Sequence, residues 1–153
     1  MRAVVQRVRE ARVRVSGETV GEIGPGYVLL IGFGVDDSPT MIGGPVWTRF
    51  LRKILDLRLF PDSQGPINQS LADHGGQILV VSQFTLYADV RKGRRPSFSL
   101  AARPDEARAM YDALVADLSR LWPGVAQGVF GADMDVHLVN WGPVTILLDS
   151  DQL

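Results

Sequence analysis

The chain has 153 residues, which suits one domain with a sizeable core and not two. Hydrophobic residues make up 46% and charged residues 22%, the ordinary balance of a globular fold, and no apolar run is long enough to span a bilayer. A net charge of -1 argues against a protein that grips long stretches of nucleic acid, and the absence of Cys excludes disulfides and thiolate metal sites.

The two histidines, His74 and His137, are far apart and match no zinc-ligand spacing, so neither a metal nor a cofactor is expected. The N-terminal stretch "MRAVVQRVREARV" has its charge scattered along its length. It lacks the separate basic, apolar and cleavage regions of a signal peptide, and a cytoplasmic protein is expected.

In chain order, "AVVQRVREARVRV" alternates around Val4, Val8, Val13 and Val15, a period that predicts strand. Turn signals follow at Ser16-Gly17 and at Gly24-Pro25-Gly26. The continuous apolar run from Tyr27 to Ile31 predicts a strand covered on both faces. Trp47, Phe50, Leu51, Ile54 and Leu55 fall at helical spacing, predicting a helix from about Pro45 to Leu55. Pro45 suits its first turn, because its missing N–H would be unpaired there anyway.

"LRLFPDSQGPINQS" reads as a short strand and a loop, "GGQILVVSQFTLYAD" as the most apolar strand, and "VRKGRRPSF" as a basic loop. "RPDEARAMYDALVADLSRLW" predicts an amphipathic helix that buries Ala107, Met110, Tyr111, Leu114, Leu118 and Leu121, stopped by Pro123-Gly124. Two or more strands end at Leu148. The fold class expected is α+β: a single domain over 1–153, a mostly antiparallel, barrel-like sheet and two main helices.

Three places can carry chemistry. Polar Ser82, Gln83 and Thr85 interrupt an apolar strand, which reads either as a strand end entering solvent or as a pocket floor. Ser82 or Thr85 as a nucleophile needs a base. Asp135 and His137 share a strand face, leaving a Ser82–His137–Asp135 triad as one arrangement. Arg91, Lys92, Arg94 and Arg95 form either a solvated charged loop or a phosphate clamp. Gly142-Pro143, in "NWGPVT", is either a hairpin turn or a cis peptide that aims two carbonyls in a fixed direction.

Together, "MRAVVQRV", "SQFTLYAD", "RKGRRPSF", "FGADM" and "NWGPVT" resemble the D-aminoacyl-tRNA deacylase family across essentially the whole chain. That resemblance implies a homodimer with its editing pockets at the subunit interface. Ser82, Gln83, Phe84 and Thr85 would form one wall of each pocket. Gly142-Pro143 of the partner would form the other and reject L-aminoacyl esters. It further implies that Arg7 holds the Gly-Pro loop and that Met134 lies near the terminal adenosine. Arg91, Lys92, Arg94 and Arg95 would contact the tRNA acceptor end, and the tRNA terminal 2′-hydroxyl would assist water attack. Two stretches depart from the family pattern: Trp141 stands where a small or acidic residue is usual, and "MIGGPVW" replaces an uninterrupted helix start. The rivals are a serine or threonine hydrolase of small esters and a non-catalytic nucleic-acid-binding module.

Overall fold

The computed structural model describes residues 1–153. The chain forms β1 (Arg2–Val15), β2 (Glu18–Ile23), β3 (Gly26–Gly32), α1 (Pro45–Asp56), α2 (Leu71–His74), β4 (Gln77–Ser82), α3 (Pro104–Leu121), β5 (Val125–Gln127) and β6 (Asp135–Asp149). Short 3-10 turns occupy Pro39–Met41, Phe84–Tyr87 and Ser150–Gln152.

β1 is the organising strand. Its first half pairs antiparallel with β3 and its second half with β2, while β6 runs antiparallel along its other edge. β3, β4 and β5 are mutually parallel neighbours, so the sheet order is β2-β1-β3-β4-β5 with β6 beside β1. Parallel pairing of β3 with β4 requires a crossover, and α1 and α2 lie within it.

The sheet buries both faces. Ala3, Val5, Tyr27, Leu29, Ile31, Ile78 and Val80 turn outward against Trp47, Phe50 and Ile54 of α1 and Met110, Tyr111, Leu114 and Leu118 of α3. Val8, Ala11, Val13, Ile23, Val28, Leu79 and Val81 converge on a second, interior cluster from four strands, which gives the sheet its barrel-like curl. A bulge in the β1–β6 pairing between Val8 and Ala11 lets residues on either side of it face the same interior. Each fully buried aliphatic or aromatic side chain contributes roughly 1.5–3 kcal/mol relative to exposure.

α1 begins where Pro45 predicts, and the covered strand at Tyr27 to Ile31 is present. Four expectations change. The strand through "SQFTLYAD" stops at Ser82, because the chain turns into the Phe84–Tyr87 3-10 turn. "LRLFPDSQGPINQS" contributes only an isolated bridge between Phe60 and Gln69. Leu121, at the last residue of α3, is 51% exposed, while Val115 is buried. Trp122, extended beyond the helix, turns in instead and donates its indole N–H to the Gly76 carbonyl at 3.0 Å. Finally, Gly142-Pro143 separates no two strands; it sits inside the single strand β6.

α2 was not expected. Its signal is present in "SLAD": the Ser70 hydroxyl accepts from the Asp73 N–H, and the Asp73 carboxylate accepts from the Ser70 N–H. No helix is long and apolar enough to cross a membrane.

Candidate functional site

The site grows out of the end of β4. The Gln83 N–H donates to the Ile31 carbonyl at 2.7 Å, and the chain then leaves the sheet. Gly32 permits this approach, since a Cβ there would lie 2.6 Å from the Gln83 carbonyl oxygen. The closing bonds of the following turn are donated by Leu86 and Ala88, to Gln83 and Thr85. Phe84 and Thr85 therefore present the N–H groups that open a 3-10 turn, which find no acceptor within it. The Gln83 side-chain amide donates to the Thr85 hydroxyl.

Phe84 is 55% exposed and meets Phe98 edge-on, with ring centroids 4.9 Å apart. Behind the turn, Arg2 donates to the Leu86 carbonyl at 3.4 Å and the Tyr87 hydroxyl donates to Asp37 at 3.3 Å. Burial, and after it the charge of Asp37, pushes the Tyr87 pKa up, so the phenol remains a neutral donor.

A cleft of about 700 Å³ opens beside the turn. Ser82, Gln83 and Phe84 line it from one side, Phe98 and the segment entering α3 from another, and Phe130 through Met134 from a third. The structure thus brings Ser82, Gln83, Phe84 and Met134 together, and Thr85 joins them through Gln83. Phe98 and Phe130 escaped the sequence reading; Phe98 is flagged only by its place at the end of "RKGRRPSF".

The Ser82 hydroxyl is hydrogen-bonded to no histidine or carboxylate, although Asp133 lines the same cleft. His137 is exposed on β6 opposite Arg12 and borders a different depression with Glu10 and Glu22, and no hydrogen bond links it to Ser82. The Ser82–His137–Asp135 triad is therefore not assembled. His74 stacks on Phe60, with centroids 4.3 Å apart. No group of three or more His, Cys, Asp or Glu side chains is placed to hold a metal ion.

Gly142 and Pro143 do not line this cleft. Gln6 pairs with Thr145 and Val8 with Asn140, so Trp141, Gly142, Pro143 and Val144 stand opposite Arg7 alone and bulge out of β6. The Gly142–Pro143 peptide is cis, Gly142 has φ +130, and both residues are exposed. Arg7 is only 3% exposed and donates to the carbonyls of Trp141 at 2.9 Å, Pro66 at 2.8 Å and Leu59. Burial, with the nearby charge of Arg9 second, lowers its pKa from the ordinary guanidinium value. The Asn140 amide closes the base of the bulge, accepting from the Val144 N–H at 3.1 Å and donating to the Thr145 hydroxyl at 2.9 Å.

The basic loop lies on the surface, its base closed by reciprocal Asp89–Ser97 backbone bonds. Arg91 is held by Asp89, whose pKa is drawn down to about 2, first by the Arg91 side-chain hydrogen bond. Lys92, Arg94 and Arg95 are exposed and form no ion pair. None of the four lines the cleft.

A model of the D-Tyr-tRNA(Tyr) deacylase family matches residues 4–149. The chain is 54% identical to a D-aminoacyl-tRNA deacylase of Nitratidesulfovibrio vulgaris (strain DP4), covering 100% of this chain and 95% of the relative. It is 58% identical to one of Solidesulfovibrio magneticus, covering 100% and 98%. Among solved structures, the c-Myc DNA Unwinding Element Binding Protein superposes with a TM-score of 0.86 at 40% identity, over 97% of this chain and 98% of that one. A probable eukaryotic D-amino acid tRNA deacylase shares the fold, with a TM-score of 0.80 at 20% identity over 96% and 97% of the two chains. With the family model spanning nearly all of the sequence and relatives identical at more than half of its positions, this chain belongs to the D-Tyr-tRNA(Tyr) deacylase family.

Proposed function

We propose that this protein hydrolyses the ester bond of D-aminoacyl-tRNA, releasing free D-amino acid and tRNA, as a cytoplasmic chiral proofreader of translation. Glycine mischarged on tRNA is proposed as a further substrate. The observation that carries this reading is a cleft holding Ser82, Gln83, Phe84 and Met134, with no histidine or carboxylate hydrogen-bonded to Ser82, in a chain so similar to named D-aminoacyl-tRNA deacylases.

An ester to a ribose hydroxyl is already activated toward water, so position and charge stabilisation suffice. In this mechanism the Phe84 and Thr85 N–H groups receive the oxyanion. Thr85, already accepting from Gln83, positions and does not attack. The terminal 2′-hydroxyl of the tRNA orients the water. Phe84, exposed at the cleft mouth, offers a face to the terminal nucleotide, with Met134 opposite. Lys92, Arg94 and Arg95, with Arg91 beside them, meet phosphates of the acceptor end.

The gate is proposed to come from a second copy. β6 pairs with β1 alone, so its far edge is open, and Val139 and Leu147 on that strand are 49% and 66% exposed. A two-fold dimer across this face would carry the Gly142-Pro143 bulge of one protomer into the cleft of its partner. An L side chain would meet that main chain; a D side chain would point away from it.

The 40%-identical protein named for binding a DNA element favours a second reading, a nucleic-acid-binding module that uses the basic loop without hydrolysis. One experiment separates these readings: hydrolysis of D-tyrosyl-tRNA by the Thr85→Ala variant, beside hydrolysis by wild type of the same tRNA ending in a 2′-deoxyribose. The RNA-assisted mechanism predicts the larger loss for the 2′-deoxy substrate. An acyl-enzyme trapped on Thr85 or Ser82 would restore the hydrolase rival, and binding with no hydrolysis at all would favour the module.

A further inference from the structure

We propose that Trp141 is a positioning residue for chiral discrimination, acting through Arg7 and Arg9. This inference rests on reading Gly142-Pro143 as the gate. The bulge is held at two levels. Its main chain is tethered by the Arg7 Nε–H, which donates to the Trp141 carbonyl at 2.9 Å. Its side chain is held by charge: the guanidinium carbons of Arg7 and Arg9 lie 4.6 and 3.7 Å from the centroid of the Trp141 indole.

Phe60 and His74 brace the same ring as tilted neighbours, with centroids 6.2 and 5.7 Å away. The coupling to the gate is direct. The Arg7 guanidinium that faces the indole also backs onto Gly142, where an added Cβ would lie 2.9 Å from its Nη2. The indole and Gly142 thus pack against the same guanidinium, which limits where each can sit.

Arg9 matters because Arg7 alone cannot do this work. Arg7 is already committed to the Leu59 and Pro66 carbonyls besides that of Trp141. Arg9 is exposed and makes no ion pair, so its guanidinium is free to cap the ring. A ring fixed by neighbours on β1 and beside α2 keeps the exposed Gly142-Pro143 main chain pointing in one direction, without Trp141 itself touching substrate.

The test is kcat/KM for D-tyrosyl-tRNA and L-tyrosyl-tRNA measured on Trp141→Ala, Trp141→Phe, Arg9→Met and, as a control, Gly142→Ala. Trp141→Ala should lower the D/L ratio about tenfold through a gain in L-ester hydrolysis. Loss of folded protein cannot produce such a gain. Trp141→Phe keeps a ring for the guanidiniums and should recover most of the ratio. Arg9→Met, at an exposed position that does not threaten folding, should lower the ratio about threefold. If Gly142→Ala lowers the ratio while Trp141→Ala and Arg9→Met leave it unchanged, the indole is only a filler and this inference fails while the gate stands. If none of the variants changes the ratio, the gate reading fails with it.

Discussion

Arg7 is a cation with almost no access to water, and its hydrogen bonds go to main-chain carbonyls at Leu59, Pro66 and Trp141. Arg7→Ala would orphan all of them. The bond to Leu59 is buried and those to Trp141 and Pro66 only partly so; at about 1 kcal/mol for the buried carbonyl and less for the two that water can reach, the loss is roughly 1–2 kcal/mol, measurable as a lower urea midpoint at unchanged slope. A change of less than about 0.5 kcal/mol would mean that water replaces the guanidinium without cost. Carbonyl partners leave no signature in a sequence, so the contact of Arg7 with the bulge is expected only through the family resemblance. Ser82, Gln83 and Thr85 were legible directly, because polar residues interrupting an apolar strand demand partners. Their partners came from elsewhere: Gly32, Phe98 and Met134 approach only through the fold.

At the scale of elements, period and turn chemistry located β1, β3, α1 and α3. The signal failed where local pattern and backbone geometry part company. "SQFTLYAD" continues an apolar strand in the sequence, yet the ladder with β3 ends at Ser82, and Phe84–Tyr87 coil into a 3-10 turn. "NWGPVT" reads as a break, yet flanking pairing with β1 keeps β6 continuous around the bulge. The basic loop is legible from charge alone, and its effect should be electrostatic. Replacing Arg94 and Arg95 by Ala should weaken tRNA binding and reduce the slope of log affinity against log salt by about 1.5. An unchanged slope, or an altered D/L ratio at unchanged affinity, would move the loop from the phosphates to the amino-acid pocket.

At the scale of the molecule, the cleft and the bulge proposed as its gate lie apart. The cleft opens at the ends of β3 and β4, while the Gly142-Pro143 bulge projects from β6 and lines none of it. A second copy is the simplest way to unite them, and a two-fold arrangement makes two equivalent sites. Sedimentation at micromolar concentration should therefore give twice the 16.8 kDa chain mass. A fully active species at the mass of one chain would show that each protomer works alone. The most direct measurement is the release of tyrosine from D-tyrosyl-tRNA and L-tyrosyl-tRNA prepared on the same tRNA. The D ester should be cleared at least about a hundredfold faster than the L ester, both corrected for spontaneous loss. Equal rates for the two esters, or no acceleration of either, would contradict a chiral deacylase.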